Sequence, residues 1–383
     1  MGKIIFFMPF IGIVILFYSL ILLYYVRKTL LAFEYKQLSW KRNVVLVLVS
    51  FLPILILVFL RNTSWLISSY LVIACYVWIT YLFLFFSLHG TCELINFLFK
   101  KTIKYWVHEK TLWIVFQLVC LSIVTYGYID AKNIKVEQVE ISTDKLKKGE
   151  VWRIVQISDV HFSAVNGEAL AKKIVEKVNA EKPNIIVSTG DLIDRGMRNK
   201  EALCEILNQL TATHGIYAVT GNHEYYYGVE EAVDFHKRCG FELLQNYNSQ
   251  INGINLVGIN DKAVRRFSDQ ILPSEKDLMG GLSGFKVYLK HQPQVSKDAL
   301  KYFDLMLSGH THAGQIFPFG IFVKMAFPYF RGLYKVDESY IYVSRGTGTW
   351  GPPIRFLSSP EITVIKVSGS YLRSDAPNVM VRK

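Results

Sequence analysis

Histidine, aspartate and asparagine residues follow five short hydrophobic runs after residue 150. Each run is predicted to be a strand. The polar residues that follow these runs are Asp159, His161, Asp191, Asn222, His223, His291, His310 and His312. Because strand ends are where sites assemble in α/β sheets, we expect these side chains to lie close together. One such residue alone is most simply a turn or cap residue, so the predicted site rests on their joint occurrence.

The donor types of these residues indicate a metal site. Carboxylate and amide oxygens mixed with imidazole nitrogens, without a thiolate, suit Mn²⁺, Fe or Zn²⁺. Seven of these eight residues, all except His223, are candidate ligands. Seven are too many for one ion, so one carboxylate is expected to bridge two ions about 3.5 to 4 Å apart. Two divalent ions held by two carboxylates keep a positive charge, and the site should therefore attract an anion. Such ions can lower the pKa of a water to about 7 and hold phosphate oxygens for in-line attack.

Short β-rich runs alternate with amphipathic helices from about Val151 onward, which predicts an α/β domain. Strands are predicted at WRIVQIS, NIIVSTG, GIYAVTG, INLVGIN, FKVYLK, DLMLSG, YIYVS and ITVIKV, and helices at ALAKKIVEKVNAE and EALCEILNQLTA. In a strand-like His-x-His segment both side chains leave the same face, so residues 310–312 could reach both ions. Gly309 and Gly314 flank this segment and allow the backbone to turn tightly beside the metals.

The motifs DVH, GDLIDRG, GNHE, LKHQP and GHTHAGQ occur in this order within residues 151–367. Together they resemble the calcineurin-like metallophosphoesterase superfamily. The closing stretch SRGTGTWGPPIRFLSSPEITVIKV is similar to the bacterial YkuE/YaeI-type phosphodiesterase branch, many members of which are membrane-associated. The resemblance implies a four-layer α/β/β/α sandwich. It also implies a dinuclear-metal enzyme that hydrolyses a phosphodiester, pyrophosphate or phosphomonoester by attack of a metal-bound hydroxide.

The resemblance implies roles for individual residues as well. Asp159, His161 and His312 would bind the first metal, Asn222, His291 and His310 the second, and Asp191 would bridge them. His223 would contact the phosphate or protonate the leaving oxygen. The motif GDLIDRG also resembles that of the protein Ser/Thr phosphatases, where the second Asp orients this histidine and the Arg binds phosphate. These roles would fall to Asp194 and Arg195, for which a surface salt bridge is the alternative.

Four long uncharged runs precede this domain. They cover residues 4–26, 44–60, 65–88 and 111–129, and each is close to the roughly 20 apolar residues that cross a bilayer. The sequence therefore predicts four transmembrane helices within residues 1–130, a juxtamembrane connector over 131–150 and a metallophosphoesterase domain over 151–383. A cleaved signal peptide is the alternative for the first run, but that run exceeds the roughly 7 to 15 residues of a signal core.

Lysine and arginine are concentrated in the predicted loops after the first and third helices. The first of these loops contains Arg27, Lys28, Lys36, Lys41 and Arg42, the other contains Lys100, Lys101, Lys104 and Lys110, and the loop after the second helix has only Arg61. Positive loops stay in the cytoplasm. The prediction is therefore a multi-pass protein of the cell membrane with its N-terminus and its catalytic domain outside the cytoplasm.

The net charge of +12 does not indicate a nucleic-acid-binding protein. Residues 1–130 contain 11 basic and 4 acidic residues, so most of the excess flanks the predicted membrane helices. The expected partners are membrane lipids and a phosphorylated substrate on a lipid or envelope component, and no nucleic acid is expected. The alternative function is a catalytically silent membrane sensor or interaction module. A missing ligand would favour that alternative, and none is missing.

The aromatic stretch IFPFGIFVKMAFPYFRGLY, residues 316–334, begins four residues after the last candidate ligand. Its Pro and Gly content and Lys324 argue against a fifth spanning helix. One interpretation is a loop packed in the protein core. The other is a membrane-dipping lip or substrate groove beside the metals, with basic residues at the lipid headgroups.

The five cysteines predict no disulfide framework. Cys75 and Cys120 fall in predicted membrane segments, and Cys92 lies just beyond one. Cys204 and Cys239 fall in separate predicted helices and are interpreted as two buried, small apolar side chains. A disulfide between them is the alternative for a domain outside the cytoplasm.

Overall fold

The computed structural model describes residues 2–35, 40–60, 63, 66–99, 108–369 and 379–382. The chain divides into two compact units, residues 1–128 and 129–383. Helices α1 (Gly2–Ala32), α2 (Trp40–Leu60) and α3 (Leu66–Leu98) belong to the first unit, and α4 (Glu109–Asp130) ends at the start of the second.

Three of these helices are long and apolar enough to cross a membrane, over Gly12–Ala32, Ile67–Leu98 and Glu109–Asp130. Among the described residues, the fourth predicted helix, α2, is represented by a shorter apolar stretch, Phe51–Leu60.

The loop charges that predicted the orientation are only partly described. Arg27 and Lys28 lie inside α1 rather than in a loop. Lys41 and Arg42 lie in the first turn of α2, and Lys110 lies in the first turn of α4. The remaining residues of that prediction, Lys36, Arg61, Lys100, Lys101 and Lys104, lie outside the described residues.

The second unit begins with a strand that the sequence analysis did not expect. Strand β1 (Lys135–Thr143) lies within the predicted connector and pairs in parallel with β12 (Glu361–Gly369) along its full length of nine residues. Val139 and Ile141 on β1 are buried. The structure thus differs from the predicted connector because these alternating apolar residues are paired and packed, despite the Lys and Glu residues around them.

Strands β1 and β12 belong to a seven-stranded sheet of order β13-β1-β12-β2-β3-β4-β5. The other members of this first sheet are β2 (Val151–Ile157), β3 (Ile185–Ser188), β4 (Ile216–Ala218), β5 (Glu242–Leu243) and β13 (Val379–Arg382). Strands β2, β3 and β4 are parallel neighbours. Their carboxyl ends therefore lie at one edge of the sheet.

A second sheet has six strands in the order β10-β11-β9-β8-β7-β6. These strands are β6 (Tyr247–Ile251), β7 (Ile254–Gly258), β8 (Phe285–Leu289), β9 (Leu305–Ser308), β10 (Gly332–Val336) and β11 (Ser339–Val343). Strands β7, β8, β9 and β11 are parallel to one another, and the edge strands β6 and β10 are antiparallel to β7 and β11. The eight strands predicted from the sequence are all present in these two sheets.

The helices of the second unit are short. They are α5 (Glu168–Ala180), α6 (Lys200–Leu207), α7 (Asn222–Tyr227), α8 (Val229–Arg238), α9 (Glu275–Met279) and α10 (Phe319–Ala326). The two predicted helices correspond to α5 and α6.

Three buried clusters show how the layers stack. Ile154 of β2 packs in one cluster with Leu256 of β7, so this cluster joins the two sheets. Val155, the next residue of β2, faces the other way and packs with Ile174 of α5. Met306 of β9 packs on the outer face of the second sheet, in a cluster that includes Met279 of α9. The layers are therefore helix, sheet, sheet and helix, as the resemblance implied.

Cys204 and Cys239 form a disulfide, with their Cα atoms 4.5 Å apart. The interpretation of these residues as two separate apolar side chains is therefore wrong. Cys204 lies on α6 and Cys239 directly follows α8. The sequence places them on separate elements, and only the packing of α6 beside α8 brings the two sulfurs together.

Candidate metal centre

The seven predicted ligands all lie beyond strand ends of the second unit. Asp159 and His161 follow β2, Asp191 follows β3, Asn222 opens α7 after β4, His291 follows β8, and His310 and His312 follow β9. The first three strands belong to one sheet and the last two to the other. The two sheets thus contribute side chains from opposite sides to a single centre.

One group of donors comes from Asp159, His161 and His312. The Nε2 atoms of the two histidines are 3.0 Å apart, and His312 Nε2 lies 3.4 Å from Asp159 Oδ1. Two nitrogens that each lie about 2.1 Å from one ion are about 3.0 to 3.4 Å apart in right-angled or tetrahedral coordination. The spacing of this group therefore fits a shared metal ion.

A second group of donors surrounds His291 Nε2. Asn222 Oδ1, Asp191 Oδ2 and His310 Nδ1 each lie 3.2 Å from this nitrogen. The other ring nitrogen of His291 is 2.9 Å from the Thr189 carbonyl oxygen. Because that carbonyl can only accept, it holds a proton on Nδ1 and leaves the Nε2 lone pair for a ligand bond.

Asp191 lies between the two groups. Its Oδ2 is 3.2 Å from His291 Nε2 in the second group and 3.7 Å from His161 Nε2 in the first. Burial opposes the charged form of Asp191, but the neighbouring His291 and His223 outweigh it and lower the pKa of this carboxyl well below its usual value. Asp191 is thus an ionised carboxylate in the position that a bridging ligand requires.

The protonation of three of the four candidate ligand histidines also fits metal binding. The fourth, His291, differs: burial opposes its charged form, but Asp191 outweighs burial and raises the pKa of His291 well above its usual value. Burial lowers the pKa of His161 and of His310 to about 3. Burial, together with the nearby Arg355 guanidinium, lowers the pKa of His312 well below its usual value. These three imidazoles are therefore neutral at neutral pH, and neutral imidazole is the form that binds metals.

The backbone around the centre is held in unusual conformations. Five of the seven candidate ligands have positive φ angles, namely Asp159 at 50°, His161 at 51°, Asp191 at 53°, His310 at 71° and His312 at 48°. Residues other than glycine rarely adopt positive φ angles, and those that do are often found at functional sites. The expected strand-like geometry of residues 310–312 is therefore wrong. His310 and His312 reach their groups from a left-handed turn.

The two predicted glycines permit this turn for different reasons. Gly314 has a φ of 73°, a value that suits glycine. Gly309 is required by proximity, because a Cβ atom there would collide with the side chains of Ser158 and Asp159. A side chain at position 309 would thus displace a candidate ligand.

His223 lies at the edge of the first group. Its Nδ1 is 3.0 Å from Asp194 Oδ1, and its ring packs edge-on to His161 with 4.7 Å between centroids. Burial opposes its charged form, but Asp191 and Asp194 outweigh burial and raise the pKa of His223. The exposed Trp350 lies on another side of the ring, with 5.9 Å between centroids. The structure therefore brings Asp194 to His223, as the resemblance implied.

Among the described residues, Arg195 does not form the salt bridge that was its alternative role. Its Nε donates to the Tyr226 carbonyl oxygen at 2.9 Å, and its side chain is exposed. Its backbone N–H donates to Asp194 Oδ1 at 2.6 Å. Phosphate binding by Arg195 stays a prediction.

Glu224 is a residue of the centre whose role the sequence analysis missed. Its side chain is fully buried and accepts hydrogen bonds from the backbone N–H groups of Gly221 at 2.7 Å, Asp191 at 3.0 Å and Leu192 at 2.8 Å. Its position in the GNHE motif was the available signal. Glu224 thus fixes the backbone that carries Asp191.

Arg355 is a second residue of the centre whose role the sequence analysis missed. It is fully buried, and its Nη1 donates to the carbonyl oxygens of His312 at 3.0 Å and Arg345 at 2.7 Å. Its Nη2 lies 3.2 Å from His312 Nδ1. Nothing in the sequence distinguishes Arg355 from a surface arginine, apart from the apolar and small residues around it. Arg355 holds the backbone and the ring of His312 in place.

Comparison with known proteins agrees with this geometry. The sequence model of the calcineurin-like phosphoesterase family matches residues 153–314. An uncharacterized metallophosphoesterase of Campylobacter jejuni is 32% identical over 384 residues, which cover 95% of this chain and 99% of the relative. The uncharacterized metallophosphoesterase YkuE of Bacillus subtilis is 30% identical over 266 residues, which cover 64% of this chain and 90% of the relative.

A transmembrane protein with metallophosphoesterase domain from Danio rerio is 37% identical over 257 residues. The match covers 63% of this chain and 59% of that relative. The resemblance that the motifs indicated is confirmed by the match to the family and to YkuE. The chain therefore belongs to the calcineurin-like metallophosphoesterase family and is a metal-dependent phosphoric ester hydrolase.

Proposed function

We propose that this chain is a membrane-anchored phosphoesterase with two divalent metal ions, which hydrolyses a phosphodiester, pyrophosphate or phosphomonoester on a lipid or envelope component. The observation that carries the proposal is the position of Asp191 Oδ2 within 3.7 Å of one donor group and 3.2 Å of the other. The proposed organisation is a membrane region over residues 1–130 followed by a catalytic domain over 151–383. Strand β1 (Lys135–Thr143) is assigned to the catalytic domain as well, because it pairs with β12.

The donor groups give a specific ligand assignment. Asp159, His161 and His312 would hold one ion, Asn222, His291 and His310 the other, and Asp191 would bridge them. When bound, two such ions supply an activated water and hold the phosphate oxygens. The mixture of imidazole and oxygen donors suits Mn²⁺, Fe or Zn²⁺.

His223 with Asp194 would position the proton for the leaving oxygen, and Arg195 would position the phosphate of the substrate. Asp194 Oδ1 lies 3.0 Å from His223 Nδ1, so it keeps one proton there and leaves Nε2 to face the substrate. Asp191 and Asp194 raise the pKa of His223 and so favour its protonated form, from which Nε2 would donate a proton to the leaving oxygen. Arg195 is proposed to contact the phosphate.

The test of the proposed function is an assay of the purified full-length protein after removal of metals with a chelator. We expect activity to return when Mn²⁺ or Zn²⁺ is supplied, because the donors suit both ions. The substrate panel is phospholipids, nucleotide-linked lipids and soluble aryl phosphodiesters. Failure of every metal and every substrate to restore activity would contradict the proposal and favour the silent sensor or interaction module.

Glu224→Ala should lower the affinity of the centre for metals. The substitution leaves the N–H groups of Gly221, Asp191 and Leu192 without their acceptor, so the backbone that carries Asp191 loses its support. Loss of such a supporting partner typically weakens metal binding about 10- to 100-fold, which competition against a chelator measures. Glu231→Ala, which removes a surface ion pair with Lys200, is the matched control. Equal affinities of both variants would contradict this role.

The proposed orientation places the catalytic domain outside the cytoplasm, in the cell membrane. Two observations support it: the lysine and arginine content of the predicted loops and the Cys204–Cys239 disulfide. Disulfides persist in oxidising compartments and are rare in the cytoplasm.

A labelling experiment tests the orientation. A membrane-impermeant maleimide should label Lys147→Cys in intact cells, because Lys147 is exposed on the catalytic unit. Lys41→Cys, at the start of α2, should react only after the membrane is permeabilised. The unsubstituted chain serves as the blank. The opposite labelling pattern would place catalysis in the cytoplasm.

A further inference from the structure

Helix α10 has no buried residue among its eight members. Phe319 is 48% exposed, Phe322 61% and Met325 80%. An eight-residue helix that faces solvent with these side chains is unfavourable in water, because apolar surface is driven to a less polar environment. The interpretation of residues 316–334 as a loop packed in the core is therefore wrong for α10.

The exposed apolar surface extends beyond the helix. The described residues from Ile129 onward include eleven large apolar side chains that are exposed, and seven of them belong to this surface: Phe317, Phe319, Ile321, Phe322, Met325, Trp350 and Leu357. Hydrogen bonds join the parts, since the Phe317 N–H donates to the Phe356 carbonyl oxygen and the Gln315 side chain donates through Nε2 to the Trp350 carbonyl oxygen. We call these seven residues the apolar patch. Clustering on this scale marks an interaction site on a protein surface.

The apolar patch is connected to the metal centre by direct contacts. The ring of Phe327, directly after α10, lies edge-on to the ligand His310 with 5.1 Å between centroids. Thr311 Oγ1, beside both ligand histidines, donates to the Phe330 carbonyl oxygen at 2.7 Å. Gly314 and Gly320 are in such close backbone contact that a Cβ atom on Gly314 would collide with Gly320. Whatever covers the patch is therefore held next to the metals.

The charges around the patch select its partner. Lys324, Arg331 and Lys335 are exposed, and residues 309–336 contain no acidic residue, although the exposed Asp337 and Glu338 follow directly. Aromatic and aliphatic side chains with flanking lysine and arginine are typical of segments that lie in the interface of an anionic bilayer. A bilayer is also always available, because the same chain has three helices that can cross a membrane. A second copy of the chain would instead place these positive charges against each other.

We propose that the apolar patch inserts into the surface of an anionic phospholipid bilayer and holds the metal centre at the lipid headgroups. This deepens the proposed function, on which it rests, because it makes the substrate a phosphoester at the membrane surface. Insertion itself does not depend on catalysis, so it can be tested separately.

The first experiment measures insertion in the full-length chain, reconstituted in phosphatidylcholine vesicles with a minority of phosphatidylglycerol. A nitroxide is attached at Phe322→Cys or, as a control, at the exposed Lys172→Cys of α5, after Cys75, Cys92 and Cys120 are replaced by alanine. The ratio of collisions with oxygen to collisions with a water-soluble nickel chelate should be several-fold higher at position 322 than at position 172. Equal ratios would overturn the proposal, and so would shielding from both reagents, which would indicate a protein partner.

The second experiment separates membrane engagement from catalysis. Replacing Phe319, Phe322 and Met325 together with serine should slow hydrolysis of a vesicle-embedded phospholipid by about tenfold or more, and hydrolysis of a soluble aryl phosphodiester by less than about twofold. Equal losses on both substrates would overturn the proposal. If neither substrate is hydrolysed by the unsubstituted protein, the proposed function fails while the collision ratios still decide on insertion.

A matched pair of single variants controls for the loss of exposed apolar surface in general. Met325 is 80% exposed inside the patch, and Ile271 is 87% exposed outside it. Met325→Ser should lower the rate on the vesicle substrate, whereas Ile271→Ser should leave it unchanged. A similar loss in both variants would show that the patch has no special role.

Discussion

Asp191→Asn should reduce phosphoesterase activity to the background of the assay. The substitution keeps the shape of the side chain but removes the negative charge that lies between both donor groups, 3.7 Å from His161 Nε2 and 3.2 Å from His291 Nε2. Metal ions contribute several kcal/mol to such reactions, so losing their bridge should cost about 1000-fold or more in rate. Metal analysis of the purified variant should also show less than the full complement of ions.

Asp234→Asn is the matched control for this prediction. Asp234 lies on the surface of α8 and pairs with Arg238, so the same chemical change there should alter neither activity nor metal content. Fully active protein with no more than one ion per chain would contradict the assignment of a dinuclear centre. An Asp191→Asn variant with normal metal content and normal activity would contradict the bridging role.

His223→Ala should slow turnover by about 10² to 10⁴ while both metal ions remain bound. His223 is not one of the seven proposed ligands, and its Nδ1 is held by Asp194 at 3.0 Å, so its loss removes a proton donor rather than a ligand. The loss should be greatest for substrates with an alkoxide leaving group, which needs a proton. It should be much smaller for a nitrophenyl ester, whose leaving group is stable as an anion.

His214→Ala is the control for this experiment. His214 packs against Trp152, with 4.7 Å between ring centroids, and is not among the residues of the centre. A loss that is the same for both leaving groups would contradict the role of His223 as proton donor. A loss of metal content in His223→Ala would instead make His223 a ligand or a support of one.

The residues of the metal centre could be predicted from the sequence because side chains that can bind metals occur directly after predicted strands. Residue type and position thus indicate the same site. His291 follows FKVYLK, and a polar residue directly after a buried strand is expected at a sheet edge. Which atoms approach each other could not be predicted in this way. His310 and His312 adopt left-handed conformations, and both contact Asp159, which is distant in the sequence.

The other features that the sequence did not predict have a common physical origin. The Cys204–Cys239 disulfide depends on α6 packing beside α8, and the role of Arg355 depends on the carbonyl groups that surround it. The exposure of Phe322 depends on the absence of a covering element in the catalytic unit as described. Composition and periodicity report which residues prefer burial, whereas partners that are distant in the chain are decided by the fold.

Strand β1 sets the order in which the catalytic unit can form during synthesis. It is the first strand of the unit to leave the ribosome, yet its partners are β12 and β13, the last two, and Lys135 pairs with Glu361. The chain between them is almost the whole unit, so β1 and β12 can pair only after the residues of the metal centre have been translated. Pairings of such long range form slowly and leave a strand edge open in the meantime. The first sheet of the nascent unit therefore stays incomplete until β12 has been translated, and the open edge of β1 is prone to aggregation for that period.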